Sequence, residues 1–521
     1  MLSLLILACG GTADPTTASD TPEVVDTSTP TSSVPTAATA TTADTGPEPL
    51  TFPEPADHPA RWAEAPPRSF AASELMVQCA ELDGGPESWN THNLIMPYRG
   101  YLVLPWASEW GDGGLSLFDM TDPCQPEKVA DSFADHMRET HAIGFLHLPE
   151  GDPHAGDYAV VNGWHGVIIW DVSDPTAPVQ LSEVTIDGVS WPDAYARVAF
   201  SVFWQYPYLY LAASDNGLYV IDTTNPAEPE VLTHAPFDPV LRAGGVFVMG
   251  TEMLVVSAEQ TEAALLDVSN PTDPQLHPGG RFTVRSGDGE AREVYAGNMV
   301  GKHAIFARKS AGGGPIVYDI TDPTAPTYVG DYHEADGNGG YIYGHEGFLF
   351  VGNSHSGDVY DARDPAKVTK VARGDLAGDL DTFVPFGNVA VLSVDDEAED
   401  QLASIVVPWR EQPDERGPMV ERTVPADGDV GVATTARIGI GFDEIIEPIT
   451  VHLGSLRVSD PDGAPVDGWG SAQEATAHWV PKEPLQPQTT YTVEVMADGI
   501  SDVNGNPVAD TLSFSFTTGA Q

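Results

Sequence analysis

Two histidines, each preceded by threonine, stand at the start of an apolar segment of this chain. They are His92 in THNLIM and His141 in THAIGF, and Glu139 lies two residues before His141. Imidazole nitrogens and a carboxylate are ligands that a divalent metal accepts. His92, His141 and Glu139 are therefore predicted to hold a metal if the fold brings the two segments together. The alternative is that they are polar residues at the mouth of a channel. A full ring of ligands is not predicted, because the corresponding positions of the other blades are apolar or glycine: Val198 or Ala199, Gly244, Val294, Gly339 and Leu380.

A second group of acids and histidines brackets a glycine-rich segment and consists of His333, Glu334, Asp336, His345 and Glu346. Such a group suits a hard cation weakly, and solvated loops have the same composition. The sequence contains no GxSxG or HExxH motif, no phosphate-binding glycine loop and no cysteine beside a basic partner. No catalytic residue is therefore predicted.

The elements that would position these residues are marked by a repeated turn. Six times an apolar run ends in Asp and turns through Pro, as in DVSDPTAP, at spacings of 52, 51, 45, 52 and 42 residues. This period is typical of four-stranded propeller blades. The Asp carboxylate is predicted to accept hydrogen bonds from the amides one and two residues further on. This structural role is assigned to Asp119, Asp171, Asp222, Asp267, Asp319 and Asp361.

Each turn follows a pair of apolar runs, such as YAVVNG and VIIWD, which short turns join as hairpins. Their unbroken apolar character predicts strands covered on both faces, as in stacked blades. Residues 403–413 repeat the pattern without an outer strand, and residues 74–82 are predicted to supply that strand and close the ring. Closure would bring Cys79 beside Cys124, which outside the cytoplasm could form a disulfide. The alternative is two unrelated core cysteines.

The apolar strand, the Asp and the DPxxP turn together resemble the LVIVD repeat family of bacterial and archaeal surface propellers. The resemblance covers roughly residues 74–413 and implies a propeller outside the cytoplasm. The family has no common activity to carry over, so the resemblance assigns no catalytic residue.

Residues 420–518 have alternating strands, which predict a sandwich of two sheets with one face of each sheet buried. The phrases VPADGDVGV, PLQPQTTYTVEV and DVNGNPVADTLSFSFTT resemble, in order and spacing, the bacterial Ig-like domains first noted in S-layer proteins. Tyr491 is predicted to be a corner tyrosine whose hydroxyl binds the backbone. The DVNGN segment from Asp502 either ligates calcium or forms a hairpin turn around its Asn-Gly pair.

The N-terminal apolar segment ends in LILAC and resembles the lipobox of bacterial lipoproteins, which implies that Cys9 is acylated as a lipid anchor. No Lys or Arg precedes Arg61, so the basic region of such a signal is missing, as expected if translation starts further upstream. Residues 10–61 are rich in Thr, Pro and Ala and are predicted to be a disordered tether. The alternative for Cys9 is a chance cysteine in a disordered terminus.

The chain is strongly acidic, with 77 acidic against 23 basic residues and a formal net charge of −54. This charge repels nucleic acid and anionic lipid surfaces, so no nucleic-acid partner is expected. It is typical of solubility in a salty medium, and cation binding is the alternative. Three cysteines are too few for a disulfide-built scaffold.

These observations predict an all-β chain with a signal segment 1–9, a linker 10–61, a seven-bladed propeller 62–416 and an Ig-like sandwich 417–521. The predicted function is a monomeric cell-envelope lipoprotein that binds an extracellular protein or polysaccharide, or organises the surface, without catalysis. It would meet the membrane only through its lipid anchor. The alternative is a propeller hydrolase or lyase acting on an extracellular polymer. No cofactor is predicted, with calcium or another divalent cation as the alternative.

Overall fold

The computed structural model describes residues 50–53, 68–85, 94–107, 112–189, 198–396 and 403–520 of the 521-residue chain. Strands and turns make up these segments, with short 3₁₀ turns at Pro365–Lys367 and Pro448–Thr450. None of the residues in these ranges forms a helix with the length and apolarity that a bilayer crossing requires.

Seven four-stranded antiparallel sheets follow one another along the described part of residues 80–408, and six of them are meanders of four consecutive strands. Sheets 1 to 3 consist of β2 (Met96–Tyr98), β3 (Tyr101–Ala107), β4 (Gly113–Asp119) and β5 (Glu127–Ala134); β6 (Ile143–Leu148), β7 (Gly156–Gly163), β8 (Gly166–Asp171) and β9 (Val179–Thr185); and β10 (Ser201–Gln205), β11 (Tyr208–Ala212), β12 (Leu218–Asp222) and β13 (Glu230–Ala235).

Sheets 4 to 6 repeat this arrangement. They consist of β14 (Ala243–Met249), β15 (Glu252–Ser257), β16 (Glu262–Asp267) and β17 (Gln275–Thr283); β18 (Val294–Val300), β19 (His303–Arg308), β20 (Pro315–Asp319) and β21 (Thr327–Asp331); and β22 (Ile342–His345), β23 (Phe348–Gly352), β24 (Gly357–Asp361) and β25 (Thr369–Gly374). The second and third strands of these sheets are almost wholly buried, whereas the fourth strands carry exposed residues. Burial on both faces is the pattern expected of sheets packed between neighbouring sheets.

Sheet 7 takes its outer strand from the beginning of the chain. It consists of β26 (Asp379–Phe386), β27 (Val389–Asp396), β28 (Ser404–Pro408) and β1 (Ala80–Leu82), in that order. β1 pairs antiparallel with β28, with Ala80 opposite Val406, so the prediction that residues 74–82 complete the last sheet is confirmed. Directly before β1, Cys79 forms a disulfide with Cys124, which lies in the turn after β4; the two Cα atoms are 5.1 Å apart.

The repeated Asp turns share one hydrogen-bond pattern. In sheet 2 the Asp171 carboxylate accepts the N–H of Ser173 at 2.9 Å, and Asp119, Asp222, Asp267, Asp319 and Asp361 also accept the N–H two residues further on. The Asp or Asn three residues later repeats the arrangement, as where Asp174 accepts the N–H of Thr176 at 2.9 Å. Each turn therefore has two successive side-chain caps, of which the sequence predicted the first. The prediction that the Asp also binds the amide one residue further on is wrong, because that amide donates to a backbone carbonyl instead, as Val172 does to Asp157 at 2.8 Å.

The C-terminal domain is a sandwich of two four-stranded sheets. One contains β29 (Val420–Val424), β31 (Ile438–Phe442), β34 (Thr476–Pro481) and β33 (Gly468–Gln473), and the other contains β30 (Val430–Val432), β36 (Leu512–Thr518), β35 (Thr490–Val495) and β32 (Leu456–Ser459). Between them lies a core that includes the fully buried Trp479. The Tyr491 hydroxyl accepts the backbone N–H of Gln486 at 2.8 Å, which confirms the predicted corner tyrosine.

From Leu50 onward the chain forms one compact unit, in which the sandwich lies against the propeller. It meets the first strands of the sheets and the turns that follow them. From sheet 1 to sheet 6, contacts join Arg99 to Glu447, Ile143 to Gln473, Gln205 to His478, Glu252 to Arg422, Asn298 to Glu474 and Glu346 to Asp443. In sheet 7, Gly387 lies near Asn504, where an added side chain would collide with it.

Candidate functional site

Glu139 and His141 lie just before β6, where the first strand of sheet 2 begins. The fully buried Asn162 on β7 holds this segment. Its side-chain oxygen accepts the backbone N–H groups of His141 at 2.8 Å and Ala142 at 3.0 Å, and its nitrogen donates to the carbonyl of Glu139 at 2.8 Å. Asn162 therefore fixes the backbone that carries both side chains.

The His141 ring contacts side chains from three other sheets. Nδ1 lies 3.0 Å from the Tyr341 hydroxyl, just before β22 of sheet 6, and 3.3 Å from the Tyr295 hydroxyl on β18 of sheet 5. The ring stacks on Phe200, just before β10 of sheet 3, with ring centroids 4.4 Å apart. Side chains from sheets 2, 3, 5 and 6 thus meet at one point, so these sheets surround a common axis.

Glu139 and His141 form a close pair that is sealed from solvent. Glu139 Oε1 lies 3.3 Å from His141 Nε2, and the two side chains are 0% and 1% exposed. Burial alone would raise the pKa of Glu139, but its attraction to His141, and hydrogen bonds with His141 and Asp395, lower that pKa. Glu139 is therefore the ionised carboxylate of this site.

Two further carboxyl groups, Asp381 on β26 and Asp395 on β27, bring sheet 7 to the same point. Burial raises the pKa of both, and the charge of Glu139 raises both further. Against this, the Lys309 ammonium, 4.2 Å from the centre of the Tyr295 ring, favours ionised Asp381. We call the following residues the axial cluster: Glu139, His141, Tyr295, Tyr341, Asp381 and Asp395. An ionised and a protonated carboxyl side by side can hold a proton or pass it on.

The sequence predicted apolar residues or glycine at the axis in sheets 5 to 7, at Val294, Gly339 and Leu380. That prediction is wrong, because the side chains that reach the axis belong to Tyr295, Tyr341 and Asp381. β18 shifts register after Val294, and β26 shifts on both sides of Leu380. A one-residue shift moves the neighbouring side chain to the opposite face. In the sequence, each of the three polar residues that reach the axis lies one or two positions after the residue that was expected there.

The predicted metal set is only partly described. His92 lies outside the described residues, as does the predicted lipid anchor Cys9. His141 and Glu139 are close to each other, and the neighbours of His141 include two tyrosine hydroxyls. The metal therefore stays a prediction for these residues.

The far end of the channel is filled by the β33–β34 hairpin of the sandwich. Trp204 N–H donates to Gln473 Oε1 at 2.8 Å, and Gln473 Nε2 donates to the carbonyl of Val202 at 2.9 Å. At the hairpin tip, Glu474 has a left-handed backbone with φ 52° and accepts a hydrogen bond from Asn298 Nδ2. Burial raises the pKa of Glu474 to about 7.

Between the hairpin tip and the axial cluster lies a small cavity. Glu474, Asn298, His141 and Tyr341 are among its walls, and its volume is about 30 Å³. A water molecule needs roughly 10 to 15 Å³ of such space. The cavity therefore admits one or two waters but no sugar ring.

The second group of acids and histidines is divided by the fold. The His333 ring contacts the carbonyl of Ala311 at 3.0 Å, and Glu334 pairs with Lys370. His345 and Glu346 lie elsewhere, where the β22–β23 turn of sheet 6 meets the sandwich. The predicted cation-binding loop is therefore not one cluster.

At this junction His345 faces two carboxylates that the sequence analysis did not connect with it. Nε2 lies 3.3 Å from Asp414 Oδ2, and Nδ1 lies 3.0 Å from Glu444 Oε2. All three side chains are at most 5% exposed. Burial would lower the pKa of His345, but the two carboxylates raise it. Asp414 belongs to the segment between β28 and β29, and Glu444 follows β31, so no local pattern links the three.

The DVNGN segment forms a turn. The Asp502 carboxylate accepts the N–H groups of Asn504 and Asn506, each at 2.8 Å, and a hydrogen bond from the Asn506 side chain at 2.9 Å. The predicted turn around the Asn-Gly pair is therefore present.

Comparison with known proteins distinguishes the propeller and the C-terminal sandwich as two different families of domain. Residues 155–185 and 201–233 match the LVIVD repeat, and residues 414–518 match the bacterial Ig-like domain. No curated protein matches the chain. The chain therefore carries LVIVD repeats followed by a bacterial Ig-like domain.

Several solved structures are similar to this chain at low identity. A hypothetical selenium-binding protein from Sulfolobus tokodaii is 12% identical, covering 69% of this chain and 96% of its own, with a TM-score of 0.46. A 6-phosphogluconolactonase-like protein from Bacteroides fragilis is 10% identical, covering 60% and 96%, with a TM-score of 0.45. The β-propeller domain of Cps50 from Myceliophteria thermophila is 10% identical, covering 61% and 96%, with a TM-score of 0.43.

Proposed function

We propose that this LVIVD-repeat chain is a binding module of the bacterial cell envelope, held to the membrane through acylated Cys9 and acting without catalysis. Its seven sheets would be the seven blades of one closed propeller. The segment 10–49 would be the tether that carries the folded part away from the lipid.

The convergence of side chains at the axis supports the closed ring. His141, Phe200, Tyr295, Tyr341 and Asp381 come from five different sheets and meet within contact distance. Sheet 7 is completed by β1, which precedes sheet 1 in the chain, and the Cys79–Cys124 disulfide links these two sheets directly. A ring closed in this way leaves no exposed sheet edge at the join.

We favour a binding role over a catalytic one because the channel at the axis is filled. The Glu139 and His141 side chains are 0% and 1% exposed, and the cavity beside them has room only for water. The Gln473–Glu474 hairpin tip occupies the other end of the channel. In the part of the chain that the structure describes, a substrate therefore has no room beside the acid and base groups at the axis, and we assign partner binding to the outer surface.

Labelling with an alkyne-palmitate analogue in a bacterial host tests the anchor. The full chain is expected to incorporate the label and to fractionate with membranes, and Cys9→Ser is expected to do neither. The matched control replaces the other two cysteines, Cys79 and Cys124, by serine and should keep the label. Equal labelling of wild type and Cys9→Ser would refute the proposal.

A glycan and protein-ligand array probed with the full chain tests the binding role. Saturable binding that survives Glu139→Gln is expected, because the proposed contact surface is the outside of the propeller. Binding that disappears in a folded Glu139→Gln variant would place the ligand at the axis instead.

The second candidate, a propeller hydrolase or lyase, is favoured by one observation. Asp381 has a raised pKa beside the ionised Glu139, and such pairs perform acid and base catalysis in enzymes. The enzyme proposal would be established if the wild type degrades an extracellular polymer and Asp381→Asn loses this activity while its melting temperature stays the same.

A further inference from the structure

His345, Asp414 and Glu444 are the one group in the described part of the chain whose side-chain geometry suits a metal ion. One potential ligand atom from each lies within 4.8 Å of the other two, and all three residues are buried. They come from the propeller, the connecting segment and the Ig-like sandwich, respectively. A site here would therefore lie at the junction of all three parts.

The contacting atoms are close without being aligned for hydrogen bonds. His345 Nε2, Asp414 Oδ2 and Glu444 Oε2 are shielded from solvent, and none of them makes a hydrogen bond of acceptable angle, although neighbours lie at 3.0–3.3 Å. Unpaired buried polar atoms are costly. Ligands 2.0–2.2 Å from a shared tetrahedral ion are roughly 3.3–3.6 Å apart, which agrees with the 3.3 Å between His345 Nε2 and Asp414 Oδ2. Glu444 Oε2 lies 3.0 Å from the other ring nitrogen, Nδ1, so an ion bound at Nε2 requires the Glu444 carboxylate to turn toward that nitrogen.

The charges of the surrounding groups also favour a divalent ion. Arg416 contacts Glu346 at 2.7 Å and Asp443 at 2.6 Å, and Arg410 contacts Glu346. Arg410 Nη2 also lies 3.1 Å from Asp414 Oδ2, and Arg416 Nη2 lies 3.4 Å from Glu444 Oε1. The two guanidinium groups are therefore shared among four carboxylates, which leaves two carboxylates in excess, and buried charge without compensation is unfavourable. A divalent cation would neutralise this excess.

We propose that His345, Asp414 and Glu444 bind a divalent transition metal, with Zn²⁺ as the best match, and that this ion fastens the Ig-like domain to the propeller. One imidazole nitrogen and two carboxylate oxygens are a ligand set that Zn²⁺ accepts, with a fourth position for water. The site is independent of the lipid anchor and of the propeller's ligand.

The test uses the purified full chain, stripped with a chelator, then loaded with ZnCl₂ or CoCl₂ and washed at high salt to remove ions held by the acidic surface. The wild type is expected to retain one Zn²⁺ per chain and to give visible Co²⁺ bands of four-coordination. Asp414→Asn and Glu444→Gln keep side-chain shape and should each weaken Zn²⁺ binding at least tenfold. The exposed Asp462→Asn is the matched control and should bind as the wild type does.

Absence of retained metal in the wild type, or equal affinity in wild type and Asp414→Asn, would overturn the site and leave a cluster held only by a proton. Circular dichroism and the melting temperature show whether the variants fold. If they do not, the wild-type Co²⁺ spectrum decides, because surface carboxylates alone would give only the weak bands of six-coordinate Co²⁺.

Discussion

Glu474, at the tip of a hairpin of the Ig-like sandwich, accepts a hydrogen bond from Asn298 in the first strand of sheet 5, inside the propeller channel. The two residues are 176 positions apart in the chain. The sandwich is thus not an appended module but a structural part of the propeller, and its contacts reach every sheet.

Glu474 makes the stability of the protein depend on pH. Burial raises its pKa to about 7, above the roughly 4.3 of an unfolded Glu. The folded state therefore binds this proton more tightly, so the contribution of Glu474 is greatest below about pH 4.3 and is lost as pH rises through 7. Glu474→Gln should accordingly stabilise the protein by about 3–4 kcal/mol at pH 8 and by little near pH 4.5.

Urea unfolding of wild type and Glu474→Gln at both pH values measures this difference. The exposed Glu230→Gln is the control and should show the same small effect at each pH. An unfolding free-energy difference for Glu474→Gln that does not change with pH would contradict the assignment.

The stability of the protein should be sensitive to loss of the Glu139 carboxylate beside His141. Glu139→Gln leaves His141 without its carboxylate in a site that is 1% exposed, and removing one partner of a buried pair costs about 3–5 kcal/mol. Tyr341→Phe removes one hydrogen-bonding contact with His141 and should cost about 1 kcal/mol. Chemical denaturation at pH 7 measures both, and equal losses would show that the Glu139 carboxylate contributes no more to stability than a single hydrogen bond does.

The Cys79–Cys124 disulfide should stabilise the closed ring. Its ends are 45 residues apart, and chain entropy predicts a stabilisation of about 4 kcal/mol for a loop of that length. Replacing both cysteines by serine should lower the unfolding free energy by about 2–4 kcal/mol. A reductant should have the same effect on the wild type and none on the double variant. Free thiols located at Cys79 and Cys124 in the unreduced wild type would rule out the bond.

The Asp at the strand end of each repeat turn should contribute modestly to the free energy of unfolding. Asp171→Ala removes the acceptor for the Ser173 N–H and should cost about 0.5–1.5 kcal/mol. Asp171→Asn keeps an acceptor oxygen and serves as the matched variant, for which little loss is expected. Thermal denaturation of the pair distinguishes the hydrogen bond from the negative charge.

The sequence predicts the local parts of this fold well because their signals are local. The Asp-to-amide contacts span two residues, and the hairpins are marked by apolar runs and short turns. Even the distant pairing of β1 with β28 was accessible, since an orphan strand at one end matched a missing strand at the other.

The side chains at the axis and at the domain junction were harder to predict from the sequence. Register shifts in β18 and β26 decide that Tyr295 and Asp381, rather than their neighbours, face the axis. At the junction, His345 meets Asp414 and Glu444 only because the whole sandwich docks on the propeller. No periodicity in the sequence encodes such a placement.

The position of the disulfide determines how the protein would respond to tension. A pull on the N-terminal end of the chain reaches Cys79 before it reaches β1, because the cysteine directly precedes that strand. The covalent bond passes the load sideways into the turn after β4 of sheet 1. The three-residue strand that completes the ring is thereby spared the force that would otherwise unzip it from β28, one residue pair at a time.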